Sequence, residues 1–207
     1  MSERYEYARA SLSEAELDAS PFKLMRRWVS EAMEEQIVEP TAACLSTVSA
    51  EGRPSSRMVL LRGIDDAGIT FFTNYLSRKG RELAANPVAC LNLWWAGLER
   101  QVRIEGEVSA VSSDMSDEYW RERPRDSQLA SAASPQSTVI ADRDVLFEKV
   151  TELAGRYPDA VPRPENWGGY RLEPDCFEFW QGGVSRLHDR FEYRLCEGTW
   201  KIQRLAP

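Results

Sequence analysis

The chain has 207 residues, with 33 Asp or Glu, 26 Lys or Arg and one His, and a formal net charge of −7. That length matches a single domain with a substantial core, here taken as residues 1–207. The acidic balance excludes a uniform basic footprint for nucleic acid, and the lone histidine excludes a multi-histidine metal site.

Residues 1–19 are charged and weakly patterned, and read as a mobile arm. Ser20-Pro21 then reads as an N-cap with proline at the first helical position. Phe22, Leu24, Met25, Trp28, Val29, Ala32 and Met33 follow at helical spacing, predicting a helix to about Ile37 that packs on a sheet. From Thr41 the period becomes two. Residues 41–49, 55–63 and 69–73 read as strands separated by turns at 50–53 and 65–68. Residues 77–86 read as a short helix stopped by Asn86-Pro87, and 88–95 and 99–112 as two further strands. Residues 114–155 are helical in composition, punctuated by Pro124 and Pro135. Short strands follow at 169–172, 176–180, 190–195 and 200–204, the last two flanking the hairpin signal Cys196-Glu197-Gly198-Thr199. Consecutive antiparallel strands with inserted helices predict a mainly β, α+β fold built on a closed barrel.

No apolar run approaches the roughly 18 residues of a membrane span, and the first residues lack the apolar core of a signal peptide. Cys44, Cys90, Cys176 and Cys196 are scattered without a C-x-x-C pair. Reduced thiols in a cytoplasm are therefore expected, with neither zinc nor a disulfide scaffold.

Five segments carry groups that bind anions or rings. Arg57 and Arg62 end a short strand and, being five apart, point to opposite faces; solvated edge charges are the plain reading. Ser77, Arg78 and Lys79 open a helix, where free N–H groups and cations make a phosphate site, or simply a cap. Gln101 falls in a strand expected to be buried, where it needs partners. Tyr119, Arg123, Arg125, Ser127 and Gln128 group hydroxyls and guanidiniums suited to a phosphate monoester, or form a solvated helix face. Finally, Trp180-Gln181-Gly182-Gly183 and Arg186-Leu187-His188-Asp189-Arg190 concentrate cations around the only histidine. Beside Asp189 that histidine could equally be a satisfied structural residue.

These segments occur as Arg-x-Val-Leu-Leu, Phe-x-Thr-Asn-x-x-Ser-Arg-Lys, Leu-Glu-Arg-Gln-Val, Arg-Pro-Arg-Asp-Ser-Gln, Gln-Ser, Glu-Phe-Trp-Gln-Gly, Arg-Leu-His-Asp-Arg-Phe and Arg-Leu-Ala-Pro. In that order they resemble the pyridoxine/pyridoxamine 5′-phosphate oxidases, from about Arg4 to Pro207. The resemblance implies an FMN-binding split β-barrel, working as a homodimer with FMN at the subunit interface. It implies oxidation of pyridoxamine and pyridoxine 5′-phosphates to pyridoxal 5′-phosphate, with O2 as acceptor and H2O2 released. It also implies that Arg57, Met58, Val59, Leu60, Leu61, Arg62, Phe72, Thr73, Arg78, Lys79, Gln136 and Ser137 hold FMN, with Gln101, Trp180 and Arg190 at its ring. Substrate phosphate would be held by Arg62, Tyr119, Arg123 and Ser127. Arg186, Leu187 and His188 would face the pyridine, with Arg186 and His188 at the reacting substituent. Arg4 to Tyr7 would fold over the substrate, Arg4 and Tyr7 touching it. Two positions depart from the family: Arg62 stands where lysine is common, and Tyr5 where a basic residue is expected.

Two other functions fit the pattern less well. One is a related split-barrel flavin oxidase acting on another ring, such as a phenazine precursor, which has no need of the phosphate clamp. The other is a non-catalytic carrier of FMN or pyridoxal phosphate, for which a full set of ring-contacting residues has no purpose.

Overall fold

The computed structural model describes residues 6–207, so the expectations for Arg4 and Tyr5 lie outside the described residues. Helix α1 (Pro21–Glu34) begins where Ser20-Pro21 predicts, the proline ring fixing φ for the first turn. It buries Phe22, Leu24, Met25, Trp28, Val29 and Ala32. It ends short of Ile37 because Gln36 takes a left-handed φ of 57°; Met33 is already 54% exposed.

The strands are β1 (Ala42–Val48), β2 (Pro54–Asp65), β3 (Gly68–Asn74), β4 (Val88–Trp95), β5 (Arg100–Ala110), β6 (Trp167–Gln181), β7 (Asp189–Cys196) and β8 (Thr199–Arg204). Between them lie α2 (Arg78–Ala85), α3 (Ser113–Glu122), α4 (Arg125–Ala133) and α5 (Asp144–Arg156). Every pairing is antiparallel, in the order β3-β2-β1-β4-β5-β6-β7-β8, and β6 also pairs with β3. That extra pairing closes six strands into a barrel and leaves β7 and β8 as an extension.

The two strands expected at 169–172 and 176–180 are one strand, β6. The reason is Pro174, which breaks the sequence pattern without ending the strand. It sits at a bulge where the register with β5 shifts between Glu105 and Gly106, a position that tolerates a missing N–H. At the β7–β8 hairpin Glu197 and Gly198 have φ of 51° and 76°, the paired positive angles of a tight two-residue turn.

Alternation decides what faces the barrel interior. Leu45, Leu91, Val102, Ile104, Phe177 and Phe179 point in and are fully buried, with Trp28 of α1 packed edge-on against Phe179. Truncating one of these aromatics is expected to cost about 3–5 kcal/mol. A second, smaller core lies under α3, α4 and α5, around Trp120, Leu129, Leu153 and Trp167.

Residues 7–19, read above as an arm, run along the barrel. Leu12 is buried and its N–H donates to Asp189 at 2.9 Å. Glu14 pairs with Arg204 at 2.9 Å, and Tyr193 donates to the Asp18 carbonyl at 2.8 Å. Among the described residues no helix is long and apolar enough to cross a membrane.

Candidate active site

Strand parity and helix α2 build the first cluster. Arg57 lies on the inward parity of β2, opposite Leu45 at the barrel rim. There it meets Glu82 of α2 at 3.3 Å and donates to Thr47 and Ser55 hydroxyls. Arg78 pairs with the same carboxylate at 2.8 Å. Burial alone would raise the Glu82 pKa, but hydrogen bonds from Ser55, Thr47 and Arg78 outweigh it and bring it down to about 2.

One residue along, Lys79 is buried at 7% exposure, and its Nζ donates to Thr73 at 3.0 Å, Gln136 at 2.8 Å and Ser77 at 3.4 Å. None of these partners carries charge. Burial, helped by the Arg57 charge, pushes the ammonium down to about 8. Ser77 caps α2, accepting from the Gly80 N–H at 3.3 Å. Three cations therefore gather near one carboxylate, which pairs with Arg57 and Arg78 and leaves Lys79 without a counter-charge, a donor set that fits a phosphate monoester at a helix N-terminus. Ser137, beside Gln136, holds a left-handed φ of 70°, a local strain of the kind that collects at ligand sites.

The second cluster lies on the outer face. Arg62, on the opposite parity of β2, points away from Arg57, as its spacing requires. With Leu60, Phe72, Tyr119, Arg123, Pro124 and Ser127 it lines a cleft of about 250 Å³. Arg62 stands 5.8 Å from the Tyr119 ring centre. Arg123 donates to Ser131 Oγ at 2.9 Å and to the Ser127 carbonyl at 3.3 Å. Neither guanidinium has a carboxylate within ion-pair distance among the described residues. The pKa of Arg123 is lowered by burial and by Arg62, while Tyr119 opposes that shift. Two unneutralised guanidiniums with a phenol and a hydroxyl again form an anion site. Of the remaining residues in this segment, Arg125 donates to the Tyr157 carbonyl and Gln128 to the Trp120 carbonyl, so both are structural.

The third group forms a row. The register pairs Trp94 with Gln101, Gln101 with Trp180, and Trp180 with Arg190, all on the outer face of β4 to β7. Gln101 was expected to be buried in mid-strand; it is half-buried near the start of β5, facing outward. The glutamine buried in this part of the sheet is Gln181, which donates to the Leu98 and Glu99 carbonyls at 3.2 Å. Arg190 donates to Glu178 at 2.7 Å, a buried carboxylate that also holds Arg103 at 2.7 Å. His188 tilts against Trp180 with ring centres 4.6 Å apart. Tyr7 stands edge-on to Trp94, Trp180 and His188. Arg186 and Leu187 are exposed beside them, Arg186 with a left-handed φ of 64°.

Within Arg57–Leu61, Leu61 is 3% exposed and Val59 packs on the core. Their side chains face the barrel core on the same side of β2 as Arg57, so any ligand contact there runs through main chain or through Arg57, Met58 and Leu60. The sequence reading missed Glu82, Glu178 and Trp94. Two had a visible signal: a Trp94-Trp95 doublet in an alternating strand must send one indole outward, and Glu82 stands four residues after Arg78 on the expected helix.

Thus the chain carries two groups, the anion clusters on β2, β3 and α2–α4 and the ring-facing row on β4–β7. Among the described residues no hydrogen bond, salt bridge or ring contact joins them. Although β3 pairs directly with β6, it does so through Phe72 and Thr73 with Gly169 and Gly168, while Trp180 lies at the other end of β6, roughly 35 Å along the strand.

Comparison with known proteins matches the chain in two segments. The family model "Pyridoxamine 5′-phosphate oxidase" matches residues 29–157, and "Pyridoxine 5′-phosphate oxidase C-terminal dimerisation region" matches 167–207. The chain is 53% identical over 205 residues to a pyridoxine/pyridoxamine 5′-phosphate oxidase of Ralstonia pickettii strain 12J, covering 99% of this chain and 97% of that one. It is 53% identical over 207 residues to one of Pseudomonas paraeruginosa strain PA7, covering 99% and 96%. Among solved structures it resembles PhzG of Burkholderia lata 383, crystallised with tetrahydrophenazine-1-carboxylic acid. That match has a TM-score of 0.89 at 36% identity and covers 93% of this chain and 95% of that one. The fold is also that of a pyridoxamine 5′-phosphate oxidase-related, FMN-binding protein of Nostoc punctiforme PCC 73102, at a TM-score of 0.73 and 18% identity, covering 92% and 100%. Matched across both segments and nearly end to end, the chain belongs to the pyridoxamine 5′-phosphate oxidase family.

Proposed function

We propose that the chain is an FMN-dependent oxidase that converts pyridoxamine 5′-phosphate and pyridoxine 5′-phosphate to pyridoxal 5′-phosphate, O2 being reduced to H2O2. The observation that carries this reading is the pair of separate cation clusters, each holding positive charge that no carboxylate offsets. One is centred on Lys79 and suits a cofactor phosphate; the other, between Arg62 and Arg123, suits a substrate phosphate. A phenazine precursor with no phosphate leaves the second without a purpose.

FMN, when bound, supplies the two-electron acceptor that no side chain provides. Arg57, Arg78 and Lys79 would hold its phosphate, with Ser137 and Gln136 beside it. The chain's other residues bind and orient. Arg62, Tyr119, Arg123 and Ser127 would grip the substrate phosphate at several points, which fixes where the reacting carbon lies. Gln101, Trp180 and Arg190 would border the flavin ring, while Arg186, Leu187 and His188 face the pyridine. Tyr7 would cover that face and exclude water, with Arg4 alongside.

Because the two groups lie apart on one chain, the working unit is a homodimer with FMN at the interface, each site drawing one group from each copy. The C-terminal dimerisation match over 167–207, which contains Trp180, His188 and Arg190, supports this arrangement. A single domain in the cytoplasm completes the reading.

The test is peroxide release from FMN-reconstituted protein given each phosphorylated vitamer and its unphosphorylated counterpart. Rapid peroxide release with the phosphorylated forms alone is expected. Flavin binding without turnover leaves a carrier, and turnover of a tetrahydrophenazine carboxylate in preference to either vitamer supports the PhzG-like activity.

A further inference from the structure

Arg123 is a half-buried cation with no carboxylate to hold it. What surrounds it instead is aromatic. Its guanidinium carbon lies 4.6 Å from the ring centre of Trp167 and 5.5 Å from that of Trp120. Trp167, at 4% exposure, is nearly parallel to Tyr119, at 8° with centres 6.2 Å apart. Phe72 stacks on Tyr119 at 4.0 Å and on Trp167 at 5.7 Å. The three rings form one layer that joins β3, α3 and the start of β6. The layer closes because Gly169 follows: a Cβ there would stand 2.8 Å from the Phe72 ring.

We infer that Trp167 is a positioning residue for the substrate phosphate, its indole face fixing the Arg123 guanidinium toward the cleft shared with Arg62, Tyr119 and Ser127. The inference rests on the functional reading above only for the identity of the phosphate ester. An arginine stacked on an indole keeps its planar fork oriented without losing charge to a carboxylate, so the full cation remains for the ligand. A carboxylate in the same place would compete with phosphate.

The experiment uses the FMN-loaded protein and two readouts. Inorganic phosphate is titrated into the protein, and KM and kcat are measured with pyridoxamine 5′-phosphate. Trp167→Leu is expected to weaken phosphate binding and raise KM roughly tenfold, with kcat changed far less, the size of a desolvated cation–π contact. Trp167→Phe, which keeps a ring face and guards against a folding defect in the leucine variant, is expected to stay within about threefold. In an Arg123→Ala background, Trp167→Leu should add little, because its effect passes through Arg123. A merely structural tryptophan gives the same loss in both backgrounds, and that result overturns the inference. So does unchanged phosphate affinity in Trp167→Leu. Absence of vitamer turnover together with intact Trp167–Arg123 coupling in the phosphate titration overturns the functional reading and upholds this one.

Discussion

Lys79 Nζ donates to Gln136 Oε1 at 2.8 Å, tying the first turn of α2 to the segment that follows α4. That bond holds a buried ammonium against neutral groups only, with Arg57 close enough to disfavour its charge. A site in this condition accepts an anion readily, because binding supplies the counter-charge that the fold withholds.

The first prediction follows from the Lys79 pKa of about 8 against an ordinary 10.5. Between those values the unfolded chain holds a proton that the folded one has released. Stability of the FMN-free protein should therefore rise with pH across that window, and be lowest in this respect below 8. FMN affinity should move the other way, falling above pH 8 by up to about tenfold per unit as the ammonium is lost. Denaturation and flavin-fluorescence titrations from pH 7 to 10 check both slopes against Lys79→Met. Identical slopes in the two proteins would show that Lys79 is not the group responsible.

Glu82 gives the opposite sign. Its carboxyl titrates at about 2 when folded against 4.5 when unfolded. Its contribution is complete above 4.5 and is lost as pH falls toward 2. Glu82→Gln is expected to cost roughly 1–3 kcal/mol at neutral pH, since Arg57, Ser55 and Thr47 lose a charged acceptor. The cost should shrink as the pH is lowered through that range. A penalty that stays constant down to pH 2.5 would mean that the carboxylate charge contributes nothing there.

Much of this was legible from parity and spacing. Arg57 and Arg62 had to part because five residues in a strand reverse the face, and the structure separates them into two clusters. Gln101 was misread because alternation alone does not say which face is covered; its neighbours Trp94 and Trp180 face outward with it. The strand from 167 to 181 looked like two because Pro174 removes a donor, yet a bulge absorbs it. The contacts of Glu82 with Arg57 and of Trp167 with Arg123 were invisible for a different reason. Both pairs are brought together only by tertiary packing, which no local pattern encodes.

Arg62 tests what a planar cation contributes to the second cluster. It stands over the Tyr119 ring at 5.8 Å and borders the cleft that Arg123 also lines. Arg62→Lys keeps charge and loses the fork, so KM for pyridoxamine 5′-phosphate should rise roughly two- to fivefold. Arg62→Ala removes a charge-assisted pair and should raise it roughly ten- to a hundredfold. FMN affinity is expected to change little in either. Steady-state kinetics decide the matter, and an alanine variant with wild-type KM removes Arg62 from the substrate clamp.

His188 is held by its own loop, the Gly183 N–H donating to Nδ1 at 3.1 Å. A nitrogen that accepts carries no proton, so the neutral ring bears its hydrogen on Nε2. The loop needs this tie, since Ser185 and Arg186 both sit in the left-handed region, at φ 55° and 64°. Two roles can therefore be separated. His188→Ala removes both anchor and ring and should lower kcat/KM roughly ten- to a hundredfold, with FMN still bound. His188→Asn keeps an acceptor near Nδ1 but cannot reach as far as Nε2. If contact with the substrate is what matters, asparagine should recover little of the loss. Full recovery would assign His188 to holding the loop and leave Arg186 to face the substrate, whereas unchanged kinetics in the alanine variant would take the histidine out of the site altogether.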